Sequence, residues 1–457
     1  MAASPLHGDT IAAVATPPGR GGIGVVRASG PAVAVIAKAV IGDLPTPRNA
    51  VYRTFQDVDG NAIDHGIALY FPSPASFTGE DVLELQGHGG PVVMQMLLQR
   101  VMSLGARPAR PGEFSQRAFL NDRIDLAQAE AIADLIDSST TQAARCALRT
   151  LDGVLSRRTH AIAERLVELR TFVEAALDFP DEEIDFLADS DLGERIADLL
   201  SDLQTLQSTA QAGRLLRDGI HLVILGPPNA GKSSLLNCLA GRDTAIVTDV
   251  PGTTRDLIRE AIDLDGIPIH LVDTAGLRDS PDPVEREGVR RAHTEAERAD
   301  QILLVVDATA SPPGSEQAIY EQLPGLAGSP LPMTLVRNKI DLSTEKARLE
   351  NTSDGCQIYL SARTGEGIAL LRQHIKQTAG MAPATEGACM ARSRHIEALN
   401  RANASIEQAM HQLVAHNAGE LVAEELRLAH TALSEITGEF STEDLLERIF
   451  SSFCIGK

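Results

Sequence analysis

The sequence contains no tryptophan, few aromatic residues, and no apolar run near the roughly 18 residues that a membrane-spanning helix requires. Its first residues lack the basic-then-apolar segment of a secretory signal and carry an acid at Asp9, so a cytoplasmic protein is expected. The five cysteines, Cys146, Cys238, Cys356, Cys389 and Cys454, stand far apart without a C-x-x-C pair, which argues against both a disulfide framework and a zinc site. Positive charge is in deficit: a formal net charge of −21 would repel a phosphate backbone and excludes a surface that is a nucleic-acid platform throughout. Charges of the two signs balance over residues 1–120, so the acid excess lies further on, and any contact with nucleic acid is local or made by a partner.

What is present is an ordinary globular composition, 43% apolar over 457 residues, long enough for two or three domains each with its own core. The first ~120 residues mix short β-rich runs, such as Ile67 to Phe71 and Val82 to Leu85, with Gly/Pro turns. One apolar stretch there, Val92 to Leu104, reads as a helix, and the whole as a small α+β domain; the glycines from Gly19 to Gly24 read as a turn-rich loop. From Asp125 to about Arg217 apolar residues recur at three- and four-residue steps (Leu126, Ala129, Ile132, Ala133, Ile136; Ile162, Leu166, Leu169, Val173, Leu177), the pattern of long amphipathic helices. The acidic stretch Asp178 to Asp185 breaks them and reads as a solvated loop. From His221 strand-like runs alternate with helical ones, implying a parallel sheet, and helical periodicity returns from Arg392 to Phe453, with Ser441 and Asp444 suited to cap the last helix. Two helical regions thus flank an α/β domain, either joined as one bundle around an insertion or as separate bundles.

The α/β stretch carries four guanine-nucleotide motifs in order. Gly226 to Ser233 fits G-x-x-x-x-G-K-S directly after an apolar run and before a helix: glycines let backbone N–H groups curl around phosphates, Lys232 places a charge by the β and γ groups, and Ser233 offers a magnesium ligand. Asp273-Thr-Ala-Gly276 follows Ile269 to Val272 and sets a carboxylate near the magnesium and a glycine amide near the γ-phosphate. Asn338-Lys-Ile-Asp341 places a carboxylate that accepts hydrogen bonds from guanine N1 and the 2-amino group; a base without those donors would leave it unpaired. Ser361-Ala-Arg363 supplies backbone to the guanine oxygen. Between the first two motifs, Thr248 to Asp256 occupies the place of a switch loop, with Thr254 a second magnesium ligand. Leu277 stands where Ras-like proteins carry the glutamine that orients the attacking water, and leucine cannot do this. Asn229, beside the phosphates, suggests a monovalent cation in place of an arginine finger; Arg255 and Glu285, near the two switches, are candidates to position water or neutralise charge, or else solvated salt-bridge residues.

The sequence resembles, essentially end to end, the MnmE (TrmE) family of tRNA-modification GTPases. The resemblance rests on Ala15 to Gly24, Phe77 to Gly90, Arg110 to Phe114, Gly252 to Asp256 and the terminal Phe453-Cys-Ile-Gly-Lys457. It implies a multidomain chain: an N-terminal α+β folate-binding and dimerisation domain (1–121), a discontinuous α-helical domain (122–217 and 381–457) and an inserted Ras-like α/β G domain (218–380). It implies a GTPase using Mg2+ and K+, with GTP held by Asn229, Ala230, Gly231, Lys232, Ser233 and Ser234 in the phosphate loop. The remaining nucleotide contacts would be Thr248, Asp249, Val250, Pro251, Gly252, Thr253 and Thr254, then Asp273, Thr274, Ala275 and Gly276, and at the base Asn338, Lys339, Asp341, Ser361, Ala362 and Arg363. Potassium would be held by Asn229, Thr248, Val250 and Thr253; Glu285 would orient water through an intermediary, and Arg255 would be a switch residue. It further implies a homodimer acting with the FAD-dependent MnmG (GidA) on carbon 5 of the wobble uridine of certain tRNAs, with a one-carbon unit from tetrahydrofolate. Folate contacts would be Arg27, Glu84, Arg123 and Lys457, where Arg123 replaces the lysine of some relatives, and Cys454 would take part in the chemistry. A different class remains open at this point: a regulatory G protein acting on ribosomes or membranes, which would have no use for a folate pocket.

Overall fold

The computed structural model describes residues 8–178, 191–227, 229–240, 259–273, 299–310, 332–352, 355–379, 387–416, 418–439, 443–453 and 455–456. The chain divides into two compact units: 1–133 with 151–174 and 423–457, and 134–150 with 175–422.

In the first unit the described residues form a six-stranded sheet from β1 (Thr10–Val14), β2 (Gly21–Ser29), β3 (Val51–Gln56), β4 (Ala62–Phe71), β5 (Val82–Gly89) and β6 (Ala106–Pro108), in the order β3-β4-β5-β2-β1-β6. Neighbours are antiparallel except β1 and β6. Alternating burial along β4 and β5 marks strands packed chiefly on one side. That side is covered by α1 (Val33–Ile41) and α2 (Pro91–Ser103), whose Ile36, Val40, Leu97 and Val101 bury completely against Phe55, Leu83 and Leu85. The glycine-rich segment read as a loop is instead largely the start of β2. At Gly24 a side chain would fall 2.4 Å from the Met94 sulfur, so glycine here permits close packing of α2 on the sheet. The opposite side receives α3 (Glu113–Leu120) through Phe114, packed with Ile11 and Ala13.

Charges that the sequence would place on a surface are buried here. Arg117 is fully buried and donates to the carboxylates of Asp9 (2.7 Å), Glu80 (3.1 Å) and Glu113 (3.2 Å). Glu113, also fully buried, accepts from Arg107 (2.9 Å) and the Arg110 amide (2.8 Å). Burial works against the charge on Glu113 and on Asp9, but their arginine and amide donors outweigh it and hold both carboxyls below the ordinary range. In the same unit α4 (Leu126–Ile136) packs through Leu126 and Ala129 on Ile449 and Phe450 of the last helix (Glu443–Ser451) and on Phe453. The segment that follows is held down: Gly456 lies so close to β1 that a side chain on it would meet the Val14 carbonyl at 2.5 Å.

The second unit is built on a seven-stranded sheet of β7 (Ile220–Leu225), β8 (Arg259–Leu264), β9 (Ile267–Asp273), β10 (Gln301–Asp307), β11 (Met333–Asn338), β12 (Arg348–Thr352) and β13 (Gly355–Tyr359). Its order is β12-β13-β11-β10-β7-β9-β8, parallel from β13 to β9 with an antiparallel strand at each edge. The unbroken burial of β10 is that of a parallel strand covered on both sides. The β8-β9-β7-β10-β11-β13 order is the expected Ras-like arrangement, with the sheet's direction of winding reversing at β7, so that a ligand belongs at the carboxyl ends of these strands. The helical flanks do meet: α7 (Leu192–Asp218), ahead of the sheet, runs along the helix Ser393–His416 behind it, and Gly213 lets the Cys389 carbonyl approach to within 1.7 Å of where a side chain would start. Arg217, leading into β7, and Arg392, leading out of the inserted domain, both donate to the nearly buried carboxylate of Asp134, at 2.9 and 2.8 Å. The acidic stretch read as a loop lies outside the described residues beyond Asp178, where α6 (Val154–Asp178) ends; no described helix is long and apolar enough to cross a membrane.

Candidate nucleotide site

The apolar run of β7 ends at Gly226, whose φ of +142° and contact with β10 (a side chain would fall 2.0 Å from the Val305 carbonyl) admit only glycine. The loop turns back through Asn229 in the left-handed region (φ 63°), where asparagine is among the better tolerated residues, and through Gly231 (φ 94°). Helix α8 (Lys232–Ala240) then starts, so its unpaired N–H groups and dipole face the loop's concavity. Lys232 arches over the loop, its Nζ donating to the carbonyls of Gly226 (2.8 Å) and Pro227 (3.0 Å), a cation held above the place where phosphates would sit. Ser233 and Ser234 stand exposed in the first turn of α8. Asp273 closes β9 opposite Ile224 of β7, at the same end of the sheet.

At the other side of the loop, β11 ends in Asn338, a 2% exposed residue that ties three segments together. Its Nδ2 donates to the Ala230 carbonyl (2.9 Å), and its Oδ1 accepts from the amides of Lys339 (2.8 Å) and Ala362 (2.9 Å). Lys339 turns the chain at φ 70° and sends Nζ to Asp307 (2.6 Å), after which a 3-10 turn, Ile340–Leu342, presents Asp341. Ser361 Oγ donates to Asp341 Oδ1 (2.6 Å), fixing one edge of that carboxylate. Asp307 also accepts from the amide and hydroxyl of Thr309; burial opposes its charge, but these donors and Lys339 hold its carboxyl below the usual range. Together these segments enclose a cavity of about 650 Å³ lined by Gly231, Ser234, Asn338, Lys339, Asp341, Ala362 and Arg363, with Asn237, Cys238 and Leu342. An oriented carboxylate at one end and a helix N-terminus with a lysine at the other suit a ligand with N–H donors on a base and anionic charge on a tail.

Of the residues singled out in the sequence, Gly231, Ser234, Asn338, Lys339, Asp341, Ala362 and Arg363 line this cavity, Ala230 and Ser361 are bonded to its wall, and Asn229, Lys232 and Ser233 belong to the adjoining loop and helix start. Asp307, Asn237 and Cys238 are not among the site residues read from the sequence. A signal for Asp307 existed: like Asp273, it ends an apolar strand-forming run with a carboxylate. Thr248, Asp249, Val250, Pro251, Gly252, Thr253, Thr254, Arg255, Thr274, Ala275, Gly276, Leu277, Glu285, Cys454 and Lys457 lie outside the described residues.

In the first unit Arg27 and Glu84 are cross-strand partners on β2 and β5 and form an ion pair (Nε to Oε1 2.9 Å), the guanidinium lying 5.7 Å from the centre of the Phe114 ring. Arg123, exposed just beyond α3, lines a cavity of about 440 Å³ with Asp122, Gln128, His160 and Glu439; neither Arg27 nor Glu84 lines it.

A family model described as "MnmE helical domain" matches residues 126–454, and one described as "GTP-binding protein TrmE N-terminus" matches residues 10–123. A protein of Yersinia pseudotuberculosis serotype IB (strain PB1/+) named tRNA modification GTPase MnmE is 58% identical over 450 residues, covering 98% of this chain and 99% of its own. A protein of the same name from Pectobacterium carotovorum subsp. carotovorum (strain PC1) is 56% identical with the same coverage. Among solved structures, the G domain of the T. maritima FeoB iron transporter matches 35% of this chain and 98% of its own at 23% identity, with a TM-score of 0.26, a likeness too slight to carry an argument.

Proposed function

Because the chain belongs to the MnmE family of tRNA-modification GTPases, we propose that it hydrolyses GTP in the cavity between α8 and Asp341 and couples this hydrolysis to the modification of tRNA. The observation that carries the reading is Asn338: one buried side chain joins the phosphate loop, the guanine-reading carboxylate segment and the Ser361-Ala-Arg363 segment.

The finer reading follows the residues. The Ser233 hydroxyl, a hard oxygen donor exposed at the start of α8, would hold magnesium together with Thr254. Asn229, set in the left-handed region beside the loop, would hold potassium with Thr248, Val250 and Thr253. When bound, the two cations neutralise charge developing between the β- and γ-phosphates. Lys232 binds and orients those phosphates, while the Asp341 carboxylate, held by Ser361, selects guanine. With Leu277 unable to orient water, Glu285 takes that role and Arg255 acts within the switch.

Of the tetrahydrofolate contacts Arg27, Glu84, Arg123 and Lys457, the paired Arg27 and Glu84 would offer a fork for an acid and an acceptor for ring N–H groups, while Arg123 lines a cavity that does not include them. The protein acts as a cytoplasmic homodimer with an FAD-dependent MnmG partner on carbon 5 of the wobble uridine of certain tRNAs, and Cys454 takes part in that chemistry. GTP hydrolysis by the purified chain in potassium against sodium buffer at equal ionic strength tests the cation reading. Strong stimulation by potassium is expected; equal rates would leave the GTPase and remove potassium from it.

A further inference from the structure

Hairpin β8–β9 lies between two nucleotide-sensing segments in the chain: β8 begins at Arg259, just after Thr248 to Asp256, and β9 ends at Asp273, just before Thr274 to Gly276. From Arg259 to the end of β8 a strand advances about 17 Å. The hairpin's register is fixed, because a one-residue slip would turn Ile262, Leu264, Ile267 and Ile269 out of the core. The hairpin thus joins those two segments to its turn as one register-fixed unit.

That turn, Asp265 and Gly266, touches helix α5 (Thr141–Leu151), which lies outside the Ras-like sheet and ahead of it in sequence. The Thr140 hydroxyl donates to the Gly266 carbonyl at 2.7 Å, in a buried bond. The same oxygen accepts the Ala143 amide at 3.1 Å and so caps the first turn of α5. Gln142 fills the space beside Gly266, where a side chain would fall 2.2 Å from its Cδ. Behind this contact Ala143, Cys146 and Ala147 share the core of the hairpin, and Arg149 and Thr150 donate to the carbonyls of Ala388 and Met390 at 3.2 Å each. One hydroxyl thus serves two masters: the cap of a helix and the tip of a lever whose far end meets the nucleotide segments.

We infer that Thr140 is a positioning residue through which the nucleotide bound at the GTP site sets the order of helix α5. The inference rests on the GTPase reading. When the hairpin tip moves, Thr140 follows the Gly266 carbonyl and releases the Ala143 amide, so that the first turn of α5 reports the nucleotide.

Hydrogen–deuterium exchange of the Ala143 and Ala144 amides in the full-length chain, saturated with GDP or with a non-hydrolysable GTP analogue, tests this. Saturation is checked in the same samples with a fluorescent guanine nucleotide. Wild type and Thr140→Ser should show an exchange difference between the two states of about fivefold or more. Thr140→Val, which loses both bonds, and Thr140→Asp, which can still cap the helix but cannot donate to Gly266, should lose the difference while binding both nucleotides. Equal exchange in both states of the saturated wild type, or a difference that persists in Thr140→Asp, would overturn the inference and leave the GTPase standing. Absence of guanine-nucleotide binding would overturn both.

Discussion

Replacing Asn338 by alanine removes one donated and two accepted hydrogen bonds from a buried position. At about 1 kcal/mol net for each, the loss is roughly 3 kcal/mol, and at about 1.4 kcal/mol per tenfold this corresponds to about 100-fold in an equilibrium constant. The loss must appear where the three segments are held in register: as weaker binding of a fluorescent GDP, as a lower unfolding midpoint of the nucleotide-free chain, or divided between them. Asn338→Asp keeps the two accepted amides and sets a carboxylate oxygen against the Ala230 carbonyl. It should therefore lose at least the share of the third bond, about fivefold. The assay is a titration of both variants beside a denaturant melt of each. Asn338→Ala binding GDP within about threefold of wild type, with an unchanged melt, would refute the claim that this side chain assembles the site.

Asp341→Asn should weaken the preference for GTP over xanthosine triphosphate, since an amide can donate to the xanthine oxygen that replaces the amino group; an unchanged ratio in competition binding would mean that Asp341 does not read the base. Glu113→Gln removes the charge facing fully buried Arg117 and should destabilise the N-terminal unit by about 3 kcal/mol in denaturant unfolding, the low end of the range because Asp9 and Glu80 remain. The sign of its pH dependence follows from a carboxyl held lower in the folded state than in the unfolded one. The advantage of wild type over Glu113→Gln is complete above the ordinary carboxylate range near about pH 4 and is lost as pH falls through the depressed folded value. An advantage undiminished at about pH 2 would show that the charge is not its source.

The Ras-like sheet was legible because parallel strands buried on both sides are unbroken apolar runs, and because phosphate binding demands glycines, a lysine and a hydroxyl at fixed spacing. Thus β7, β9 and β11 stand where the pattern puts them. The N-terminal region was harder. Glycine serves there for close approach of a helix to β2, and a reader of sequence sees only a residue that favours turns. Nor could the sequence announce that Glu80, Glu113 and Arg117 turn inward, since the same charges are usually solvated and only the fold brings Asp9 to Arg117 across more than a hundred residues. Asp307 was missed for a related reason: its partner, Lys339, is fixed by strand adjacency rather than by spacing along the chain.

The junction at Asp134 has a consequence for the history of such a chain. Because the segments leading into and out of the inserted domain are gripped by a single carboxylate, the two ends of that domain are held together at one point of the helical scaffold. A domain whose ends are joined in this way can be accommodated between two helical segments without re-routing the chain on either side.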